Sequence, residues 1–526
     1  MGTPTPTPAR VASLVALAAL VAGTVLVAFY DHALAPRRYP YSADSASYIE
    51  MAESLRAEGR PRVTPWDLEP GGADAVPQKL FPPGFPVLIA ALTPFTGDVR
   101  SAAVLLPRIA AALLPVLLVV LWRGSAAPAA LFGVGLWVLA SPGVRGWQFI
   151  AYSDVPALAL AVVATGALAG LVATPAGRAA RGTWFAAGVA AGLCYTLRNA
   201  GIAVLAAGAA TLCYAWLRHA VRVPAILCWG VGAGLPLAAL AGYNLATFGR
   251  LQPYAMPPSE RRWSLNLADY ANAQLEDLGL PELVTASQPR FAAVLLLAAL
   301  VALLARAWWV SRADLARHLR LTVLGLYALL GGALLVVSRS HFEWGNLIDS
   351  RNTLQYTFAL ALALVIAADT LAGPVVRRVL VIGFTAALVA VLVSAAGEAA
   401  RLSRPPAELW LALSRNPAVI AAARDSPPAT LLASNYSVLF RIDARRAARQ
   451  LDVSGSDADF AGSLALLRSV AGSRPARFLL VCDPEWTSRF SACQSLVPGS
   501  GPRCVRIAST PVIVARCDPE AVPAGE

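Results

Sequence analysis

The residues best suited to do chemistry begin in a polar stretch between two apolar blocks, from Tyr39 to Pro86. Asp44 stands just ahead of a short helix, which we predict from apolar residues at i, i+3, i+4 and i+7 spacing. Lys79, the only lysine in the chain, is separated from the Pro82-Pro83 pair by two residues. A carboxylate, a lone ammonium group and a rigid proline-rich segment that leads into the next apolar block together indicate a functional site. Asp44 is also explained as the N-cap of its helix.

Three further charged residues stand at the ends of predicted apolar helices. Asp154 begins one of them, where an acidic residue near a proline is also the ordinary start of a helix. Arg198 separates two apolar helices, and an arginine at a membrane edge is costly unless a group pairs with it. We expect that partner to be a phosphate or Asp154. Arg351 begins another apolar helix and is our candidate for binding an anion, because its guanidinium fork suits phosphate oxygens.

The composition places these residues in a membrane protein. Of 526 residues, 57% are hydrophobic and 14% are charged, and the mean hydropathy is +0.59, whereas soluble proteins carry about 25% charged residues. The net charge of +12 is carried by arginines, which in a membrane protein record the orientation of the loops. We therefore expect a lipid bilayer around the chain and no nucleic-acid partner.

Eleven apolar segments are long enough to be membrane spans. They are residues 11–30, 102–122, 126–141, 155–173, 183–197, 200–217, 223–246, 291–310, 321–338, 353–371 and 375–396. The shorter segment 84–95 is better suited to a re-entrant or interfacial helix. With this count the arginine-rich loops share one side with the N-terminus, and positive charge assigns that side to the cytoplasm. We predict an all-α membrane domain over 1–396, with a first outer loop at 31–101 and the candidate site on the outer side.

The remaining residues, 397–526, have the composition of a small soluble domain. The segments ATLLAS, ARFLLVC and CVRIASTPVIVARC predict strands and a terminal hairpin, with a helix near residues 460–470. Four cysteines lie here, an even count compatible with two disulfides in an oxidising compartment and with any of three pairings. They are Cys482, Cys493, Cys504 and Cys517. We predict an extracytoplasmic α/β domain that contributes no catalytic residue.

Motifs for several other activities are absent from the sequence. It contains no Walker loop, no GxGxxG that opens a helix after a strand, no HExxH and no GxSxG elbow. A soluble nucleotide is therefore not the expected substrate. Only Arg108 and Arg306 lie clearly inside predicted spans, and no inverted repeat is recognisable, so the pattern of a transporter is weak.

In their order along the chain, several short motifs resemble those of the C-type membrane glycosyltransferases (GT-C), related to protein O-mannosyltransferases and aminoarabinose transferases. They are the Asp44 helix with its trailing Gly59, FPPGFPVLIAAL, YSDVPALAL, LRNAG and SRNTLQYTFALALAL. The resemblance covers about residues 11–396. It implies an enzyme of a bacterial inner (plasma) membrane that transfers a hexose or pentose from a polyprenyl-phosphate carrier to an extracytoplasmic glycan, lipid or protein.

The resemblance also implies roles for the site residues. Asp44 would be the catalytic base that deprotonates the acceptor hydroxyl, and Asp154 would orient the acceptor or the cations of the site. The cations that would hold the donor phosphate are Lys79, Arg198 and Arg351. Candidate substrate contacts are Tyr48, Arg339 and His341, of which the last two are also explained by a solvated loop. Ser45 follows Asp44 where several relatives have an acidic pair, which leaves metal dependence open. Two well-separated carboxylates and several arginines suggest that cations of the protein replace a divalent metal, so a metal is not favoured and we expect no cofactor.

Two other functions stay open at this stage. A transporter or flippase of lipid-linked glycans would use the same membrane helices without cleaving its cargo. A catalytically inactive relative would bind such a glycan at the outer loops, because Asp44 and Asp154 are both explained as helix caps. The sugar, the acceptor, the length of the polyprenyl chain and the oligomeric state are not encoded in a recognisable pattern.

Overall fold

The computed structural model describes residues 8–34, 40–65, 75–175, 178–254, 256–279, 289–343, 347–371, 389, 393, 413–426, 430–434, 437–445, 448–450, 476–482, 504–508 and 513–517. The chain divides into two compact units that alternate along the sequence. Unit 1 comprises Met1–His32, Lys79–Leu88 and Val104–Arg401, and unit 2 comprises Ala33–Gln78, Ile89–Ala103 and Leu402–Glu526. Most of the first outer loop, which we predicted as part of domain 1–396, therefore groups with the C-terminal residues.

Helices form nearly all of the described chain up to residue 371. They are α1 (Pro8–Leu34), α2 (Ala43–Glu58), α3 (Gly84–Thr96), α4 (Val99–Leu121), α5 (Pro128–Ala140), α6 (Pro142–Trp147), α7 (Asp154–Val172), α8 (Arg181–Leu197), α9 (Ile202–Leu217), α10 (Val223–Phe248), α11 (Trp263–Asp277), α12 (Pro289–Val310), α13 (Leu315–His341) and α14 (Ser350–Leu371). Two single 3-10 turns, Asn199–Gly201 and Ser311–Ala313, lead into α9 and α13.

Eight helices in the described part of the chain are long and apolar enough to cross a membrane, which confirms the all-α polytopic class. They are α1, α4, α7, α9, α10, α12, α13 and α14, with the 3-10 turns before α9 and after α12 counted in those spans. The predicted spans 126–141 and 183–197 correspond to α5 and α8, of 13 and 17 residues. Of the predicted span 375–396, only residues 389 and 393 are among the described residues. The segment predicted not to cross is α3, a helix of 13 residues.

The helices of unit 1 pack around one large apolar core. Tyr327 of α13 and Phe358 of α14 are fully buried there, with ring centroids 5.8 Å apart. Helices α8 and α10 approach each other at the backbone, since a Cβ atom at Gly188 would lie 2.1 Å from the carbonyl oxygen of Trp229. Only glycine permits that approach. Cys194 belongs to the core as a free thiol, where a cysteine packs as a small hydrophobic side chain.

The arginine-rich loops of unit 1 meet at one end of its helices. Arg320 at the start of α13 donates to the carbonyl oxygen of Gly124 after α4. Arg317 forms an ion pair of 3.3 Å with Asp369 at the end of α14, and His318 lies 2.7 Å from the Tyr214 hydroxyl near the end of α9. These contacts agree with the prediction that the basic loops share one side. Asp154, Arg198 and Arg351 belong to the opposite ends of the same helices.

In unit 2 the C-terminal residues form an α/β domain, as predicted. Its described elements are α15 (Pro417–Arg424), β3 (Leu431–Ser434), α16 (Ser437–Ile442), β4 (Ala448–Gln450), β5 (Ala476–Cys482), β6 (Cys504–Ala508) and β7 (Ile513–Cys517). The sheet has the order β4-β3-β5-β7-β6. Strand β3 runs parallel to β4 and β5, whereas β7 runs antiparallel to β5 and β6. In the first outer loop β1 (Arg62–Val63) pairs antiparallel with β2 (Val76–Pro77).

The predicted hairpin at the end of the chain is strands β6 and β7. Its register places Cys504 opposite Cys517. Cys493 and the predicted helix near residues 460–470 lie outside the described residues. The disulfide pairing therefore stays a prediction, and the register makes Cys504 with Cys517 the pair to test first.

Candidate functional site

A fully buried carboxylate, Asp154, holds two arginines at the ends of three helices of unit 1. Asp154 is the first residue of α7 and has no exposed surface. Arg198, between α8 and the turn that leads into α9, forms an ion pair with the Oδ1 atom of Asp154. Arg351, in the first turn of α14, places Nε 3.2 Å from Oδ1 and Nη2 3.5 Å from Oδ2. Of the two partners that we expected for Arg198, the structure shows Asp154.

The aromatic side chains beside this cluster fix the plane of Arg351. Its guanidinium carbon lies 4.0 Å from the ring centroid of Tyr152 and 5.3 Å from that of Trp147. The two rings are themselves stacked, with centroids 5.3 Å apart. A guanidinium over aromatic faces gains cation–π attraction in addition to its ion pair. Arg351 is therefore held by a carboxylate at its edge and by rings at its face.

In this cluster two guanidiniums contact one buried carboxylate, and Asp349, two residues before Arg351, interacts electrostatically with Arg351 and Asp154. The Arg198 and Arg351 side chains remain 19% and 17% exposed, whereas that of Asp154 is 0% exposed. An anionic group can therefore reach the arginines but not the carboxylate. Of the two roles implied for Asp154, this burial favours orienting the cations over contacting an acceptor.

The segment that carries Lys79 packs beside the hairpin of Arg198. A Cβ atom at Gly84 would lie 2.4 Å from the carbonyl oxygen of Thr196, so the segment approaches the end of α8 at the backbone. Asn199 Nδ2 donates to the Tyr254 hydroxyl at 2.9 Å and lies 3.5 Å from the carbonyl oxygen of Leu80. Lys79 itself is exposed. Three of the predicted cations thus belong to neighbouring parts of unit 1.

A second buried carboxylate, Asp277, joins the elements that carry Trp147 and Arg351. Its Oδ1 atom accepts from the Gly143 N–H of α6 at 3.0 Å. Its Oδ2 atom accepts from the Thr353 and Thr357 hydroxyls of α14 at 2.9 and 3.1 Å. Asp277 therefore ties α6 and α11 to the start of α14, where Arg351 lies.

Burial raises the pKa of Asp277 to about 7, against the lowering effect of its three hydrogen-bond donors. A raised pKa means that the folded protein holds a proton, between about pH 4 and pH 7, that the unfolded chain has released. The protonated Asp277 carboxyl therefore contributes to stability at low pH. This contribution, on the order of 4 kcal/mol, is lost as the pH rises to 7.

We expect the melting temperature in detergent to fall more between pH 5 and pH 8 (roughly the window of the shift) in the wild type than in Asp277→Asn. An equal fall in the two proteins would contradict this, and Glu260→Gln, at an exposed position, is the charge-matched control.

The loop residues Arg339 and His341 differ in their surroundings. Arg339 is 4% exposed and forms an ion pair of 2.9 Å with Glu343. It also donates to the Ser259 hydroxyl at 3.1 Å, next to the bridge that pairs Pro258 with Phe342. These contacts favour a structural role in joining two loops over the substrate contact that we expected. His341 is exposed, with Nδ1 2.9 Å from the carbonyl oxygen of Val337.

Asp44 lies in unit 2, within the first turn of α2. We predicted it just ahead of the helix, but the N-cap is Ser42, which makes no side-chain cap hydrogen bond. The carboxylate of Asp44 is therefore not at the N-cap, although a negative charge in the first turn still interacts favourably with the helix dipole. Asp44 is half-buried, whereas Tyr48, our candidate substrate contact one turn later, is 3% exposed.

Within unit 2 a buried ion pair joins α2 to the C-terminal domain. Arg441 of α16 has a fully buried side chain and donates through Nε and Nη2 to the two carboxylate oxygens of Glu50, at 2.7 and 2.8 Å. Arg441 Nη2 also donates to the Thr64 carbonyl oxygen at 3.2 Å, and the Thr64 N–H donates to Glu50 at 2.7 Å. The two-point geometry fixes both direction and distance. The domain that we expected to contribute no catalytic residue thus holds the helix that carries Asp44.

Comparison with solved structures identifies the architecture. ArnT from Cupriavidus metallidurans, solved both bound to undecaprenyl phosphate and in the apo state, matches with a TM-score of 0.57 over 97% of this chain and 99% of its own, at 14% identity. The oligosaccharyltransferase of Archaeoglobus fulgidus in its apo form matches with a TM-score of 0.51 over 89% of this chain and 69% of its own, at 13% identity. This chain has the GT-C fold. It is a multi-pass membrane protein. No protein-family model and no curated protein matches the sequence.

Two buried charged residues, one in each unit, were not anticipated from the sequence. Asp277 had a detectable signal, because it follows Tyr270, Ala273 and Gln274 at helical spacing on the buried face of α11. Arg441 had no local signal, since its partner lies 391 positions away. Among the described residues of the GT-C chain, no group of three or more His, Cys, Asp or Glu side chains could hold a metal ion.

Proposed function

We propose that this protein is a membrane glycosyltransferase that transfers a sugar from a polyprenyl-phosphate donor to the hydroxyl group of an acceptor outside the cytoplasm. The observation that carries the proposal is the Asp154–Arg198–Arg351 cluster, in which a buried carboxylate orders two partly exposed guanidiniums. Support also comes from the GT-C fold and from ArnT, a protein of that fold that binds undecaprenyl phosphate.

The arginine cluster would bind the phosphate of the donor. In the reaction the bond between the sugar's anomeric carbon and the phosphate oxygen breaks, and its electron pair leaves with the polyprenyl phosphate. Negative charge therefore grows on that oxygen as the transition state is reached. Arg198 and Arg351 are already oriented by Asp154 and by the rings of Tyr152 and Trp147, so they stabilise this charge without first having to reorganise. Lys79, in the adjoining segment, adds a third cation.

Asp44 would be the base. As the acceptor oxygen forms its bond to the anomeric carbon from the face opposite the phosphate, its proton passes to the carboxylate of Asp44. The products are the glycosylated acceptor, with inverted configuration at the anomeric carbon, and polyprenyl phosphate. Asp154 is a positioning residue in this scheme, because its carboxylate has no surface that an acceptor could contact. The protein's own cations would neutralise the leaving group, and no metal takes part in the proposed reaction.

The experiment that tests this proposal is transfer by purified full-length protein in detergent. The protein is offered a panel of undecaprenyl-phosphate sugars with a mixture of envelope glycans and lipids as acceptors, and release of undecaprenyl phosphate is measured. We expect release with one donor, accompanied by an equal amount of glycosylated acceptor. Tight donor binding without release from any donor would contradict transfer and support an inactive binding protein. Movement of uncleaved donor across proteoliposome membranes would support a flippase instead.

A further inference from the structure

A cavity of about 340 Å³ opens between three helices at the basic end of unit 1. It lies between the end of α7 and the starts of α8 and α10, far along the same helices from the Asp154 cluster. Its lining is mixed: Leu171, the buried ring of Trp184 and Val221 contribute apolar surface, and Thr174, Arg181 and Arg222 contribute polar side chains. A volume of this size is at the lower end of small-molecule sites, and it fits a phosphate that bears a short polar substituent.

The two arginines at the cavity are not neutralised. The chain contains no acidic residue between Asp154 and Glu260, and within the described residues neither Arg181 nor Arg222 forms an ion pair. The neighbouring basic loop differs, because there Arg317 is paired with Asp314 and Asp369. Arg181 and Arg222 are both exposed. The cavity therefore combines these two arginines, unpaired within the described residues, with apolar side chains in one lining, which is complementary to an amphiphilic anion.

The surface next to Arg222 shows which kind of anion fits. Arg222 precedes α10, and along one face of that helix every fourth residue is a large exposed aliphatic side chain. Val223, Leu227, Val231 and Leu235 are 50%, 61%, 65% and 60% exposed. Helix α10 is also one of those long and apolar enough to cross a membrane. A continuous apolar stripe that begins beside Arg222 can hold acyl chains, which a free phosphate does not have.

We propose that this cavity binds the phosphate headgroup of an anionic phospholipid of the bilayer, with its acyl chains along the exposed stripe of α10. Arg181 and Arg222 contact the phosphate from two sides. Basic pockets between membrane helices are a recurrent way to bind such headgroups. The site does not depend on the proposed transfer reaction, and it differs from the donor site in its position at the other end of the helices.

The proposal is tested by the binding of phosphatidylglycerol with a fluorescent acyl chain to the full-length protein in neutral detergent, followed by anisotropy. We expect unlabelled phosphatidylglycerol to displace the probe, and phosphatidylcholine and inorganic phosphate to leave it bound. The variant Arg181→Gln/Arg222→Gln should weaken binding by about tenfold or more, because each basic side chain near a membrane surface contributes measurably to binding an anionic lipid. Ala225→Phe should weaken it as well, since it fills the cavity without changing the charge.

The matched control is Arg250→Gln/Arg262→Gln, which removes the same charge at two exposed positions of unit 1 that do not line the cavity. It should bind the probe like the wild type. An equal loss of affinity in the control would mean that the lipid is attracted by the overall positive charge of the protein, and this would overturn the site. Unchanged affinity in Arg181→Gln/Arg222→Gln would also overturn it. Displacement by inorganic phosphate would show a small-anion site and overturn the lipid assignment. Arg181→Lys/Arg222→Lys keeps the charge and should recover most of the affinity, which excludes misfolding as the cause of the loss.

Discussion

Replacing Asp44 by asparagine should lower the rate of sugar transfer by about 10³-fold, the scale of removing a general base, with little change in the melting temperature. Asparagine keeps the shape of the side chain in the first turn of α2 but cannot accept the acceptor's proton. Donor binding should be unchanged, because the arginines assigned to the phosphate belong to other elements. Turnover is measured as release of polyprenyl phosphate, and donor affinity by binding to the same protein preparation.

The control for this variant is Glu58→Gln in the last turn of the same helix. Glu58 is an exposed carboxylate whose ion pair with Arg62 is 3.8 Å long, and surface pairs of this kind contribute little to stability. We expect its turnover to match that of the wild type. Wild-type turnover in Asp44→Asn would remove Asp44 from the mechanism. A large fall in its melting temperature would mean that Asp44 stabilises α2, and the loss of turnover could not then be assigned to chemistry.

The position of α2 depends on contacts that are distant along the chain. Glu50 lies six residues after Asp44 and is bound at two points by Arg441 of the C-terminal domain. Arg100 adds an ion pair of 3.6 Å to Asp443 within the same unit. The C-terminal domain therefore supports the helix of the proposed base. This support is a structural role for a domain that we predicted to contribute no catalytic residue.

The class of the fold could be predicted because it follows from local quantities. Apolar runs near 20 residues must form helices in a bilayer, where unpaired backbone groups are too costly. Strands β3, β5, β6 and β7 of the C-terminal domain were predicted from short apolar runs in the same way, whereas β4, the polar segment Ala448–Gln450, was not. The pairing of Arg198 was also accessible from the sequence, since an arginine at the edge of an apolar helix needs a partner. In each case one segment and one physical rule were sufficient.

The remaining features depend on which segments meet, and this information is not local. The sequence leaves open whether Asp154 faces an acceptor or is buried behind two arginines; only the convergence of α7, α8 and α14 decides it. The burial of Arg339 also depends on its contact with the loop that contains Ser259, 80 positions earlier. The grouping of residues 33–78 with the C-terminal residues likewise depends on contacts across nearly the whole chain.

Replacing Asp154 by asparagine should destabilise the protein by about 3 kcal/mol, the scale of breaking a buried ion pair. The substitution leaves two guanidiniums facing each other with no carboxylate between them. Their repulsion should also displace Arg351 from the rings of Tyr152 and Trp147. The effect is measured as a fall in the melting temperature of purified protein in detergent. Asp369→Asn is the control, because it removes a half-exposed carboxylate from Arg317 at the other end of the helices and should change stability by less than about 1 kcal/mol.

The same variant separates a positioning role from a merely structural one. If the arginines bind the donor phosphate, the phosphate of added undecaprenyl phosphate can supply the negative charge that Asp154→Asn has lost. Undecaprenyl phosphate should therefore raise the melting temperature of Asp154→Asn by more than it raises that of the wild type. Adding Arg351→Gln to Asp154→Asn should reduce this extra rise in melting temperature. The loss of stability in the double variant should be smaller than the sum of the two single losses, because the two residues share one interaction. Equal stabilisation of all three proteins would show that the lipid phosphate does not bind between these arginines.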